Sequence, residues 1–268
     1  MKKKLNFEKI FNRKIINLKT NLAKYKNKKI LVTGSEGSIG KKIILKLKQH
    51  TKFITSVDVD FDISKKKNID KLKKIEFDFA FHLAADKRAD YAEVNPSKVS
   101  KINIITTSNV AQLNVKKIIL GSTCKAANPI TSYGASKLIC ERIVLNENGN
   151  VARFVNVFDT SSSVTKIWSK IDKRLSIPVT NCKRYFITLE EAVDLLLFTG
   201  LMKNGRYSFR NLKKYKMKDI ANKIYPNRKI SKMKLRFGDR PIENLVGLTE
   251  KTKIVNKDIL QIVDCWGT

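Results

Sequence analysis

The sequence predicts an α/β fold, a doubly wound parallel Rossmann-type sheet with a smaller C-terminal substrate lobe, and three observations predict it. A short apolar run, Ile30 to Val32, leads directly into the turn Thr33-Gly34-Ser35-Glu36-Gly37-Ser38-Ile39-Gly40 and then into an amphipathic stretch, Lys41 to His50. That order is strand, glycine turn, helix. Strand and helix signals then alternate as far as Phe158, which is the pattern of a parallel sheet with helices on both faces. Beyond Phe158 the periodicity weakens, with Pro178, Pro226 and Pro241 interrupting short elements. The 268 residues, 42% of them hydrophobic, suffice for one large domain with a small lobe.

The elements follow in order. Leu5, Ile10, Phe11, Ile15, Leu18 and Leu22, mixed with lysines, read as a basic leader of one or two helices over residues 1–28. A dinucleotide domain over 29–158 takes strands at Phe53 to Val57, Phe77 to Leu83, Lys117 to Gly121 and Val151 to Val157. Its helices lie at Ile69 to Ile75, Val94 to Leu113 and Tyr133 to Leu145. Residues 159–268 form the lobe, whose one clear helix, Leu189 to Leu201, is expected to pack back on the first domain.

A net charge of +31 dominates the composition, but the lysines are spread along the whole chain with no single basic arm. This excludes specific nucleic-acid recognition as the leading reading. The positive field suits phosphate-bearing substrates and a weak association with anionic membrane surfaces. No apolar run is long enough to span a bilayer and no secretory signal is evident, so a cytoplasmic protein is expected. Cys124, Cys140, Cys182 and Cys265 are scattered, and with two histidines they form no ligand cluster, so neither metal nor disulfide is expected.

The glycine turn carries the first chemistry. Its glycines allow a tight bend and close backbone approach, so the following helix can turn its N-terminus to a pyrophosphate. Asp58, at the end of the next strand, would accept from an adenosine ribose and repel a 2′-phosphate, which slightly favours NAD over NADP. Tyr133 and Lys137, four apart at the start of a helix, project from one face, and Ser122 and Thr123 end the strand before them. A phenol that exchanges a proton with a sugar oxygen, a lysine that lowers its pKa and holds the ribose, and a hydroxyl that fixes the substrate oxygen together make a hydride-transfer site.

Longer stretches carry a family likeness. They are Gly37-Ser38-Ile39-Gly40, His82 to Ala85 with Lys87 and Asn95-Pro96, Asn103 with Thr107, and Ser122-Thr123-Cys124-Lys125-Ala126-Ala127-Asn128-Pro129 followed by Tyr133-Gly134-Ala135-Ser136-Lys137. Arg153 to Val157, Arg184-Tyr185-Phe186 and Arg236 to Glu243 continue the series. The chain resembles the extended short-chain dehydrogenases of capsular-polysaccharide biosynthesis, and within them the UDP-N-acetylglucosamine 4,6-dehydratases. The resemblance implies that Thr33, Gly34, Gly37, Ser38, Ile39, Gly40, Ala84, Ala85, Lys87, Asn103 and Thr107 lie along the cofactor, with Asp62 and Ile63 at the adenine. It puts Lys87, Asn156, Arg184, Arg236 and Glu243 at a UDP-sugar, and makes Thr123, Cys124, Lys125, Tyr133 and Lys137 the catalytic set. Self-association into a homo-oligomer is also a habit of the family.

The likeness departs at Cys124. In the family an aspartic acid there protonates the leaving C6 hydroxyl after hydride has left C4, while the adjoining lysine, here Lys125, removes the C5 proton. A thiol donates a proton far more weakly than a carboxylic acid. Three outcomes stay open: slow dehydration with Cys124 as a weak acid, epimerisation or reduction at C4 on the same fold, or a non-catalytic dinucleotide-binding protein; Cys124 itself is either catalytic or a small buried residue packed beside the site.

Overall fold

A computed structural model describes residues 5–161, 163–235 and 239–265. The strands are β1 (Ile30–Thr33), β2 (Ile54–Val57), β3 (Phe77–His82), β4 (Val115–Thr123), β5 (Asn150–Phe154), β6 (Asn156–Val157), β7 (Ile177–Thr180), β8 (Lys183–Ile187), β9 (Gly205–Phe209), β10 (Lys214–Lys216), β11 (Ile230–Met233), β12 (Glu250–Ile254) and β13 (Ile259–Asp264). The helices are α1 (Phe7–Phe11), α2 (Ser38–Leu47), α3 (Lys66–Leu72), α4 (Ala89–Val94), α5 (Pro96–Ala111), α6 (Ser132–Asn146), α7 (Val164–Trp168), α8 (Leu189–Gly200) and α9 (Met217–Ile224).

The main sheet runs β12-β13-β9-β5-β4-β3-β1-β2. From β2 to β9 every pair is parallel, and β13 and β12 then add antiparallel. β1, Ile-Leu-Val-Thr, is buried at every position, as a central parallel strand with helices on both faces must be. β2 is half-exposed and forms the sheet's edge, because after Asp58 the chain makes one short 3₁₀ turn and goes through α3 directly to β3. Two apolar clusters flank this sheet. One joins Ile30, Val32 and Ile43 to Leu195 and Leu196 of α8, and the other joins Leu31, Leu72 and Phe77 to Val110 and Val144. Each such side chain contributes about 1.5–3 kcal/mol by leaving water.

Two boundaries differ from the sequence reading. The span 159–268 is not a separate lobe, since β9, β12 and β13 complete the main sheet. The smaller unit keeps β6-β8-β10 and β7-β11 with α7 and α9. The leader is not separate either: Phe7, Ile10 and Phe11 of α1 enter the small unit's core beside Phe158, Trp168, Phe186 and Ile220. Tyr25 reaches the main core and donates to the Leu197 carbonyl at 2.7 Å. Apolar spacing showed that these residues seek burial, but not against what.

Helix α8 packs on α2, β4 and β5. Thr188 and Glu191 form a capping box at its start, and the same Glu191 carboxylate receives Arg13 Nη1 at 2.6 Å, Arg13 Nη2 at 2.9 Å and the Ile16 amide at 2.7 Å. One buried acid therefore closes the helix and straps down the leader.

Candidate functional site

Position in the site is set first by the end of β1. Gly34 has φ +69°, and a Cβ there would lie 2.7 Å from the Ala84 amide nitrogen, so only glycine lets the turn cross the end of β3. A Cβ at Gly40 would come within 2.2 Å of the Gly34 carbonyl, which fixes how closely α2 approaches the turn. Gly37 caps α2 with no side-chain bond, so the first amides of Ser38, Ile39 and Gly40 have no side-chain acceptor. Asp58 Oδ2 accepts from the Glu36 amide at 2.7 Å and Oδ1 from the Val59 amide at 2.9 Å, tying the tip of β2 to the glycine turn. Asp62 turns back on Ser64, accepting from its amide and hydroxyl, and these bonds hold its carboxyl below the usual range. Ile63 is buried in the second apolar cluster.

A hydrogen-bond chain that sequence reasoning missed pins this turn. Thr33 Oγ1 receives the Leu83 and Ala84 amides, each at 3.2 Å, and lies 2.7 Å from His82 Nδ1. His82 Nε2 lies 3.0 Å from Thr107 Oγ1, which itself donates to the Asn103 carbonyl at 2.8 Å. With that donor spent, Thr107 accepts from His82 Nε2–H, and Nδ1 accepts from Thr33. Burial lowers the His82 pKa to about 3, with the Lys137 charge adding to it, so the ring is neutral. Asn103 is likewise spent: its Oδ1 accepts from the Asp86 amide, and its Nδ2 donates to the Asp86 carbonyl and Ser136 Oγ. Asn103 and Thr107 are thus buried behind the site as supports, while Ala84 and Ala85 follow β3 half-buried and Lys87 stays exposed.

Thr123 ends β4, where its Oγ1 accepts from the Lys125 amide, and Tyr133 enters beside it from the first turn of α6. Burial pushes the Tyr133 phenol up to about 12, and Lys125, rather than the expected Lys137, leads the charges that draw it down. Lys137 is 2% exposed, and among the described residues its ammonium has no hydrogen-bond partner; burial holds its pKa below the ordinary lysine value.

The other half of the site is ionic. Glu243 Oε1 lies 2.8 Å from Lys125 Nζ and 3.3 Å from Arg184 Nε, and Oε2 accepts from Asn156 Nδ2 at 2.7 Å. Arg184 also donates to the Arg240 carbonyl at 2.7 Å and pairs with Asp239. The structure so gathers Asn156, Arg184 and Lys125 around Glu243, and Arg236 lies outside the described residues. Cys124, Lys125, Ile130, Thr131, Asp239, Arg240, Glu243 and Asn244 line one cleft. Of these, Ile130, Thr131, Asp239, Arg240 and Asn244 were not singled out from sequence, though Asp239 and Arg240 fall inside the Arg236 to Glu243 stretch. Burial and the nearby Glu243 charge push the buried Cys124 thiol up to about 12.

Comparison with known proteins settles the lineage. A family model described as polysaccharide biosynthesis protein matches residues 44–264. The chain belongs to this family. Among its relatives, an inverting UDP-N-acetylglucosamine 4,6-dehydratase of Campylobacter jejuni is 30% identical over 261 residues, covering 83% of this chain and 78% of that protein. An uncharacterized membrane protein of Methanocaldococcus jannaschii is 30% identical over 255 residues, covering 81% and 75%. Among solved structures, Pen from Bacillus thuringiensis superposes with a TM-score of 0.76 at 24% identity, covering 90% and 89%. The UDP-N-acetylglucosamine 4-epimerase of Methanobrevibacter ruminantium gives 0.70 at 19%, covering 83% and 90%. These structures share the doubly wound α/β fold seen here. Among the described residues, no helix is long and apolar enough to cross a membrane.

Proposed function

We propose that this polysaccharide biosynthesis protein is an NAD(P)-dependent enzyme that oxidises and dehydrates a UDP-linked N-acetylhexosamine, a 4,6-dehydratase. The observation that carries the reading is the line Thr123, Tyr133 and Lys137: a hydroxyl at the end of β4 beside a half-buried phenol, and a lysine 2% exposed on the same helix.

A nicotinamide dinucleotide fits the residues present. Gly34 lets the turn pack against the end of β3, and the uncapped start of α2 that follows offers amides to a pyrophosphate's oxygens. Asp58 stands at the tip of β2, where a ribose would meet it, and favours NAD over NADP. Lys137 would donate to the nicotinamide ribose. When bound, the cofactor supplies a reversible hydride acceptor. Tyr133 takes the proton of the C4 hydroxyl, Thr123 holds that oxygen, and Lys125 lowers the cost of the phenolate. Arg184 and Asn156 hold Glu243 and through it Lys125 against the sugar side of the cleft.

A 4-epimerase would use the same Tyr133 and Thr123. The cleft's second charged pair, Lys125 with Glu243, favours dehydration, because C4 oxidation and return need no such pair while removal of the C5 proton and the C6 hydroxyl does. Incubation of the protein with UDP-N-acetylglucosamine and either cofactor tests this by mass spectrometry. Loss of one water is the expected outcome; unchanged mass with altered C4 stereochemistry supports epimerisation, and a gain of two hydrogens supports reduction.

A further inference from the structure

Resting on the dehydratase reading, the elimination needs one group to take the C5 proton and another to protonate the C6 oxygen, and the ionic half of the cleft offers two. The carboxyl that the family likeness puts at position 124 is replaced by a buried thiol, but a carboxylate enters the same cleft from Glu243. It is fixed by three donors on three different elements: Lys125 Nζ at 2.8 Å, Asn156 Nδ2 at 2.7 Å and Arg184 Nε at 3.3 Å. We propose that Lys125 and Glu243 are the acid–base couple of the elimination, with the Glu243 carboxylate taking the C5 proton and the Lys125 ammonium protonating the departing C6 hydroxyl. This reverses the role that the resemblance gives the lysine.

Protonation states agree with the geometry. Burial raises the Glu243 pKa, but Lys125 and Arg184 outweigh it and hold the carboxyl below its ordinary value, so it rests as a base. Burial works against the Lys125 ammonium, yet Glu243 outweighs that and holds it above the ordinary lysine value, so it rests as an acid. The thiol of Cys124 is likewise held protonated by burial and the nearby Glu243 charge, so position rather than acidity separates the two candidate donors. In the step, the C5–H bond breaks toward Glu243 and its electron pair becomes the C5–C6 π bond beside the C4 ketone. The C6–O bond breaks, and its oxygen takes the Lys125 proton and leaves as water. Hydride taken from C4 then returns to C6, Glu243 gives its proton back to C5, and the proton Tyr133 took from the C4 hydroxyl replaces the one Lys125 gave. The net change is loss of one water.

The test runs UDP-N-acetylglucosamine and NAD with wild type, Glu243→Gln, Glu243→Asp, Lys125→Met and Cys124→Ser in D₂O, reading C5 deuterium by NMR, product by mass and cofactor reduction by absorbance. Glu243→Gln is expected to lose C5 exchange and dehydration by about 100-fold or more while still reducing cofactor. Lys125→Met is expected to lose dehydration but return substrate carrying deuterium at C5. Glu243→Asp recovers part of the exchange, and Cys124→Ser slows dehydration far less than Glu243→Gln. Exchange kept in Glu243→Gln and lost in Lys125→Met would make the lysine the base and overturn the proposal, as would a folded Glu243→Asp no better than Glu243→Gln. A wild type that gives no dehydrated product contradicts the dehydratase reading itself, before any variant is compared, and takes the proposal with it.

Discussion

Two buried ionic clusters lie in this molecule, and they differ in what they face. In the first, Arg153 and Arg206 enclose Glu141 and Glu250: Arg153 pairs with each acid at 2.6 Å, and Arg206 lies 2.7 Å from Glu141 and 3.0 Å from Glu250. All four side chains are at most 4% exposed, and Ser122 Oγ adds a bond to Glu141 at 2.5 Å. In the second, Glu243 is as deeply placed, but its partner Lys125 keeps 30% of its side chain exposed toward the cleft. The closed cluster joins β4, β5, β9, β12 and α6, whereas the open one ends on a group that a ligand can reach. Buried charge alone therefore does not mark the site; access does.

The largest effect tests the closed cluster. Glu141→Gln leaves two buried guanidiniums short of a counter-charge and is expected to cost about 3–5 kcal/mol in urea unfolding. Glu243→Gln costs less stability, because Lys125 can turn to solvent. Equal losses in the two variants would erase the distinction. Next, Tyr133→Phe keeps the ring in its packing and removes the proton acceptor, so formation of the dehydrated product, followed by mass, falls by roughly 10²–10⁴-fold with unfolding unchanged. The smallest effect concerns the supports behind the cofactor side. His82 is neutral with a folded pKa of about 3, while an unfolded histidine titrates near about 6.5. As pH falls below that value the unfolded chain binds a proton the folded one refuses, so stability drops by about 1.4 kcal/mol per pH unit until about pH 3. Unfolding midpoints between pH 6.5 and 5 measure the slope, and a slope that survives His82→Gln would break the assignment.

The two halves of the site were unequally legible in sequence. The glycine turn, Asp58, Thr123, Tyr133 and Lys137 are close in sequence to the strand ends and helix starts that place them, so local pattern was enough to find them. The ionic half is assembled across 118 residues, from Lys125 to Glu243. Only the family likeness pointed to Glu243, and nothing local told that Arg184 and Asn156 would be spent on it. Asn103 and Thr107, which motif position put at the cofactor, bond His82 and the loop after β3, contacts that no local pattern announced. The leader's Phe7 and Phe11, and strands β9, β12 and β13, were illegible because their partners are remote and their own spacing is weak. His82 carried a faint signal as one of two histidines, at the end of a buried strand.

The most direct measurement follows one hydrogen. With UDP-N-acetylglucosamine carrying deuterium at C4, the account predicts a 4-keto-6-deoxy product whose deuterium has moved to C6. Deuterium recovered at C4 of an epimer, or no transfer at all, would contradict it.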